Sequence, residues 1–480
     1  MIFAKSCASL ILLAAMFSLA FTAERPNILY IMSDDHAAHA LSCYGSKINK
    51  TPNLDRLAKE GMLFENCFCT NSICGPSRAV ILTGKYSHKN GFLNNGNTFD
   101  GAQPHLAKHL QKAGYKTAVI GKWHLKTTPT GFDHYEVLLG QGPYFNPKFK
   151  TPGGVVAHKG YTTDVITDRA LAWLKENGKK KQPFFLMYHH KAPHANWETV
   201  EPYTSQFAKQ EIPVPEDFFD DYAGRADAVK LSKLKVGPYQ FNLHYKRLGK
   251  SWEEATKGAK NPRLWQYQRY LRDYLGCIQS VDTNVGRVLD YLDAAGLAEN
   301  TIVVYTSDQG FFLGDHGLYD KRFMYEESIR MPLLVRWKGH VPAGKKADAM
   351  VANLDFAPTL LDAAGVDVQS LLGADKMQGA SFLPVLKTGK TPKDWRTSYY
   401  YRFYERGYGI GAMLGVRTNT HKLIRFEYGD GERCELYDLD NDPAEMKNLY
   451  AKPEFAQVRK KLEAELLRLK KHYGDTKPIQ

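Results

Sequence analysis

The residues Ile73-Cys74-Gly75-Pro76-Ser77-Arg78-Ala79-Val80-Ile81-Leu82-Thr83-Gly84 read as a turn followed by a helix. Pro76 suits the first helical turn, where its missing N–H costs nothing. Ala79 to Leu82 is an apolar run, and Gly84 is a stop. Cys74 therefore falls just ahead of a helix N-terminus. Unpaired N–H groups and the positive end of the helix dipole gather there and favour an anion. Arg78, four residues on, can aim its guanidinium at the same place. A free thiol is most often a small buried hydrophobe, but this setting points to chemistry instead.

Two apolar runs end in acidic groups. Pro26–Met32 reads as a buried strand and delivers Ser33-Asp34-Asp35-His36. Thr301–Thr306 is the strongest β run in the chain and delivers Ser307-Asp308-Gln309-Gly310. Open α/β sheets keep their sites at the carboxyl ends of strands. Adjacent aspartates repel one another, so a cation explains the pair better than a solvated turn does. Asp34, Asp35, Asp308 and the amide of Gln309 make a hard, all-oxygen set, which calls for Ca²⁺, with Mg²⁺ second, rather than zinc.

Two further strands deliver basic residues. Tyr115–Ile120 leads into Gly121-Lys122-Trp123-His124-Leu125, where Lys122 and His124 share a face if the chain stays extended. Pro183–Tyr188 leads into His189-His190-Lys191-Ala192-Pro193-His194. Neighbouring histidines on an extended chain face opposite ways, and no His-x₃-His helix pair is present. His194 is the better candidate, as an acid/base group or anion contact.

The pattern Cys74-x-Pro76-Ser77-Arg78, continued by Thr83-Gly84, resembles the maturation signature of type I sulfatases, within the alkaline phosphatase superfamily. Gly121–His124, Pro193-His194 and Leu313–Arg322 resemble later blocks of the same family, in the same order. Lys321 becomes a candidate through that resemblance. The family usually carries Asn where this chain has Gln309; either amide offers a carbonyl.

The resemblance implies that a separate enzyme, formylglycine-generating or an anaerobic maturase, oxidises Cys74 to formylglycine, an aldehyde that hydrates to a geminal diol. It also implies a catalytic set of Cys74, Arg78, Lys122, His124, His194 and Lys321, and a metal set of Asp34, Asp35, Cys74, Asp308 and Gln309. On this reading the cation grips a sulfate oxygen and acidifies the diol, while Lys122 and Lys321 neutralise other oxygens. Arg78 and His124 orient the diol. One diol oxygen attacks sulfur, and His194 protonates the departing alkoxide. The second diol oxygen then loses its proton, so the aldehyde reforms and sulfate leaves. Among such enzymes the chain looks most like exported bacterial carbohydrate sulfatases acting on N-acetylglucosamine 6-sulfate or similar esters.

The elements around these residues spell an α/β protein. The expected fold is a large mixed, mainly parallel sheet flanked by helices, with a smaller C-terminal α+β part of antiparallel sheet plus helix. Helices are expected over Asn53–Gly61, His105–Ala113, Tyr161–Asn177, Arg263–Gly296 and about 454–471. The Pro- and Tyr-rich stretch 197–262 reads as insertions over the site; with 395–412 it is expected to supply pocket residues. The expected divisions are a signal peptide at 1–23, a catalytic domain at 24–384 and a C-terminal subdomain at 385–480. The leader has Lys5, an apolar run and small residues at Ala20 and Ala23. It predicts export, to the periplasm or beyond, with no membrane anchor. The net charge of +13 suits an anionic partner, and no nucleic-acid module is present. A sulfated carbohydrate fits best. Two alternatives stay open: a phosphomonoester or phosphonate-ester hydrolase on the same scaffold, and a non-catalytic binder of sulfated glycan.

Overall fold

A computed structural model describes residues 25–373, 376–427 and 433–477. The leader 1–23 and the expected turn at Gly429-Asp430-Gly431 lie outside these residues.

A ten-stranded sheet runs through the body of the protein. Its centre is five parallel strands in the spatial order Thr301–Ser307, Asn27–Ser33, Phe184–His189, Lys116–Gly121 and His134–Leu138. The first three are buried along their whole length, which explains why each reads as an unbroken apolar run rather than an alternating one. Antiparallel strands extend both edges: Leu333–Arg336 on one side, and the hairpin Lys148–Thr151/Gly154–Ala157 on the other. The sheet is mixed and mainly parallel, as expected.

Helices cover both faces. Ile31 pairs with Tyr188, so Tyr30 and Tyr188 point to opposite sides. Tyr188 reaches Thr167 on the helix Thr162–Asn177 (2.6 Å between hydroxyls), while Tyr30 meets Phe356 on the helix Phe356–Ala363. The longest helix, Pro262–Ala294, packs on Thr162–Asn177. Its start is set by Asn261, whose side chain accepts from the Arg263 and Leu264 N–H groups, with Pro262 in the first turn. Leu271, Leu275, Ile278, Val281, Val285, Val288, Leu289 and Leu292 are all buried, as their spacing predicts.

A second sheet follows, fully antiparallel: Ser398–Phe403, Met413–Thr418, His421–Phe426 and Cys434–Asp438. The helix Ala456–His472 lays Leu462, Leu466 and Leu469 against Tyr400, Leu414, Val416, Leu423 and Leu436. This small core also takes in Val80 and Tyr86 from the region of Cys74. On its other face Tyr401 accepts from the Ser72 N–H (3.2 Å) and donates to the Arg322 carbonyl (2.7 Å). The division expected at 384/385 falls within the helix Leu383–Thr388. The stretch 197–262 holds four short α-helices, Tyr203–Phe207, Asp227–Lys230, Pro238–His244 and Trp252–Ala255.

A buried ion cluster fastens the second sheet to the first. Lys422 Nζ lies 2.9 Å from Glu326 Oε1 and 2.7 Å from Glu445 Oε1. Arg417 also pairs with Glu326 (3.1 Å). Burial pushes the Glu326 carboxyl up, but Lys422 and Arg417 outweigh it and hold the group well below its usual range. Removing Lys422 leaves Glu445 buried without its cation and Glu326 with Arg417 alone. Lys422→Ala is therefore expected to lower the unfolding free energy by about 3–5 kcal/mol, measured by denaturant titration. A loss below about 1 kcal/mol, the scale of an exposed pair, would mean the cluster does not hold the sheets together.

Candidate active site

The site is built from strand ends. Ser33 and Ser307 are paired in register on adjacent parallel strands. The next two residues of each, Asp34-Asp35 and Asp308-Gln309, therefore emerge side by side. Carboxylate oxygens of Asp34, Asp35 and Asp308 lie within 4.8 Å of one another, and all three residues are buried. Asp35 adopts a positive φ of 65°, a turn that brings its N–H to Asp308 Oδ1 (3.2 Å).

Cys74 opens the helix Cys74–Thr83, every residue of which is buried. The Ile73 side chain does not cap this helix; Asn95 Oδ1 accepts from the Gly75 N–H (3.1 Å) and Pro76 has none to offer, so what favours an anion at the helix start is chiefly the positive end of the dipole. The Cys74 sulfur, an Asp34 oxygen and a His194 ring nitrogen also fall within 4.8 Å of one another. Burial pushes the thiol up to about 12, against the opposing pull of Lys321, so the unmodified side chain is neutral at pH 7 and a weak nucleophile.

Three cations face the three carboxylates. Arg78 donates from Nε to Asp308 (2.9 Å), from Nη2 to Asp34 (3.1 Å) and from Nη1 to the Lys122 carbonyl (2.7 Å). Its fork thus braces two carboxylates and a carbonyl one turn along the helix from Cys74. Lys122 is fully buried and ion-paired with Asp34. Lys321 Nζ sits between both oxygens of Asp35, at 2.6 and 2.7 Å. Burial raises Asp34 too, but Lys122, His194 and Arg78 outweigh it and hold the carboxyl well below its usual range. Asp35 goes the other way, to about 8: burial, with Asp34 and Asp308 beside it, exceeds the pull of Lys321.

A cation fits this donor set. Asp34 Oδ1 and Gln309 Oε1 are buried with no hydrogen-bond partner, although Gln309 Nε2 donates to Asp35. Both orphans are hard oxygens, and a buried orphan oxygen is costly unless something binds it.

Lys122 and His124 do not share the face of an extended run. The strand ends at Gly121 (φ 110°), where a Cβ would lie 1.8 Å from the His189 carbonyl oxygen; only glycine is tolerated. Lys122 then turns inward to Asp34, and His124 sits at φ 59° with a buried, unpartnered Nδ1. Burial and Lys122 push its imidazole down to about 2, so it stays neutral. His194 holds Ala195 O with Nδ1 (2.7 Å) and turns Nε2 toward Asp35 (3.8 Å). Burial and Lys122 lower its pKa well below the ordinary value. His189 and His190 remain in the interior.

A cavity of about 280 Å³ opens over Cys74, Asp35, His194 and Lys321. Its walls include Trp197 and His244 from the 197–262 stretch, and Glu405 and Tyr408 from the 395–412 stretch, as expected. Asp320 and Arg322 also line it. Arg322 reaches Asp320 (3.3 Å) and Glu405 (3.1 Å) and lies over the Tyr408 ring at 4.6 Å. Both residues flank Lys321 and were passed over for that lysine alone. Asn95 was missed too; it accepts from the Gly75 N–H (3.1 Å), and no periodicity or motif marks it.

Comparisons with known proteins agree with this geometry. A family model described as Sulfatase matches residues 26–366, and one for the C-terminal region of N-sulphoglucosamine sulphohydrolase matches 314–472. An N-acetylglucosamine-6-O-sulfatase of Bacteroides thetaiotaomicron is 44% identical, over 95% of this chain and 88% of its own. The human N-acetylglucosamine-6-sulfatase is 27% identical, over 98% of this chain and 90% of its own. A solved structure of BT4656, in complex with its substrate D-glucosamine-2-N,6-O-disulfate, superposes with a TM-score of 0.87 at 43% identity, covering 95% of this chain and 99% of that one.

The guanidinium of Arg78 spans two carboxylates and a carbonyl, which a lysine ammonium cannot do from one point. Arg78→Lys is expected to cost about 2–3 kcal/mol of stability, since it strands buried hydrogen-bonding groups. Thermal unfolding of the variant checks this. An unchanged melting temperature would mean that charge alone, not the fork, organises the strand ends.

Proposed function

Because this chain belongs to the sulfatase family, and is a sulfuric ester hydrolase acting on carbohydrate, we propose that it removes the 6-sulfate of an N-acetylglucosamine or related glucosamine residue through an oxidised Cys74. The observation that carries the mechanism is the placement of the Cys74 sulfur at a helix start, within 4.8 Å of an Asp34 oxygen and a His194 nitrogen. The two 6-sulfatase relatives and the glucosamine disulfate complex support the choice of sugar. A cavity of about 280 Å³ has room for one sugar ring, which favours release from a chain end.

Asp34, Asp35, Asp308 and Gln309 are the residues that would hold Ca²⁺. When bound, the ion supplies charge stabilisation to a sulfate oxygen and lowers the pKa of the hydroxyl at position 74. Arg78 keeps two of the carboxylates in register with the helix start. Lys122 and Lys321, which stand on Asp34 and Asp35, are the cations that would neutralise sulfate charge. His194, oriented by its bond to Ala195 O with Nε2 turned to the cavity, is the group placed to pass a proton to the departing sugar oxygen once a bound anionic sulfate raises its proton affinity. The unpartnered Nδ1 of His124 is a second orienting contact for the hydrated aldehyde. A neutral, buried thiol does little as a nucleophile; this supports conversion of Cys74 to formylglycine by a formylglycine-generating or anaerobic maturase. Export to the periplasm or outside the cell completes the reading. Among the described residues no helix is long and apolar enough to cross a membrane.

Mass analysis of the peptide spanning 69–85 tests the modification: an aldehyde in place of the thiol is expected. Cys74→Ala and Cys74→Ser should each lose at least about a thousandfold in kcat on N-acetylglucosamine 6-sulfate. Full turnover by Cys74→Ala would end this reading. Removal of divalent ions by chelation should abolish turnover, and Ca²⁺ should restore it better than Mg²⁺. Retention of activity after exhaustive chelation would remove the metal from the account.

A further inference from the structure

The segment that carries Trp197 into the active-site cavity carries Thr199 into a second one. This second cavity is a groove of about 450 Å³ formed where the helix Tyr203–Phe207 packs on the first half of Pro262–Ala294. The close packing depends on Gly276, where a Cβ would lie 2.7 Å from the Thr199 methyl. Gln268 fixes the rim by bonding the Ile212 N–H (2.8 Å) and carbonyl (2.7 Å) with the two ends of its amide. Arg247 ties the wall together, donating to the carbonyls of Asn196 and Trp197 and to Asp273 (3.0 Å).

The lining has the chemistry of an anionic sugar site. Arg269 lies over the Tyr245 ring at 5.5 Å. Its Nε is buried without a hydrogen bond, 4.0 Å from Asp273. Arg272 is held by a single bond, from Nε to the Gln210 carbonyl (2.9 Å). The outer N–H groups of both guanidinium forks thus remain for a ligand, and such forks match a sulfate in bidentate fashion. Trp265 is half-buried and offers an aromatic wall for the apolar face of a sugar ring. The paired hydroxyls of Thr199 and Thr204 (2.7 Å) add polar contacts.

Charge points the same way. The chain has 64 basic against 51 acidic residues, yet the three cations of the active site face three carboxylates there. The excess is available to a polyanion elsewhere on the surface.

We propose that this groove is a second binding site, for a sulfated sugar residue of the glycan whose terminal residue occupies the active site. The proposal rests on the glycan-sulfatase reading but concerns a site that takes no part in the chemistry. Its value is avidity: two weak contacts on one chain bind with an effective concentration that neither has alone.

The test uses the full chain carrying Cys74→Ala, which stops turnover, and calorimetric titration with a size-defined heparin tetrasaccharide, its desulfated counterpart and glucosamine 6-sulfate. Arg269→Ala/Arg272→Ala and Trp265→Ala should each weaken the sulfated tetrasaccharide by about tenfold, the scale of a lost interface anchor. Affinity for the monosaccharide should not change. In matured protein with Cys74 intact, turnover of an aryl sulfate should also be unchanged by the groove substitutions. Equal tetrasaccharide affinity in parent and groove variants would overturn the site. So would an equal loss on the desulfated sugar, which marks a neutral-sugar groove, or an equal loss in Lys179→Ala/Lys180→Ala/Lys181→Ala, which marks diffuse surface charge. Absence of aryl sulfate turnover in the matured parent would instead sink the enzymatic reading, and the titration would still decide the groove.

Discussion

Three carboxylates buried side by side, out of reach of water, are the constraint to which the rest of the structure answers. Each would be costly alone in a low dielectric, and each makes its neighbours worse. Asp34, Asp35 and Asp308 are met by Lys122, Lys321 and Arg78, one cation for each anion. The compensation is incomplete in one respect: two hard oxygens, on Asp34 and Gln309, still have no partner. A divalent ion would satisfy them and turn a neutral cluster into one with surplus positive charge. That surplus is what an anionic ester needs, and it appears at the start of a helix whose dipole adds to it.

The scaffold produces this arrangement through register more than through loops. Parallel strands with a shared register end together, so residues that follow Ser33 and Ser307 are neighbours without further design. The central position of Asn27–Ser33, between Thr301–Ser307 and Phe184–His189, brings His194 to the same rim, and the next strand out brings Lys122. The lowest level of the site is thus rigid. The walls above it come from short helices and from the turn after Ser398–Phe403, joined where the Tyr408 carbonyl accepts from the Lys233 N–H (2.8 Å). Reaction and substrate choice are therefore carried by different parts of the chain. This division accounts for how a common scaffold serves many esters.

The same division explains what could be read from the residues alone. The buried strands were legible because being covered on both faces makes them continuous apolar runs, and the acidic pairs stood out at their ends. The long helix was legible from its 3.6-residue period. The outer strand His134–Leu138 and its hairpin were not, since half-exposed edge strands carry a weak pattern. Nor was the fate of Arg78. Its nearness to Cys74 along a helix suggested one target, whereas two carboxylates and the Lys122 carbonyl, all from distant strand ends, take three of its N–H groups. Lys122 and His124 do not share an extended face, because the strand ends at Gly121, at positive φ, before either of them. Asp320 and Arg322 lay in plain view beside Lys321, but only the folded cavity distinguishes them from any other charged pair.

The two bonds of Tyr401, to Ser72 and to Arg322, and the apolar contacts of the second sheet with Val80 and Tyr86 have a temporal consequence. The helix that begins at Cys74 lacks a complete surround until the last eighty or so residues have been synthesised and have settled against it. A growing chain therefore holds the segment around this cysteine less tightly until that sheet is made. Any enzyme that must reach the sulfur has that interval in which to act, and the arrival of the C-terminal sheet brings it to a close.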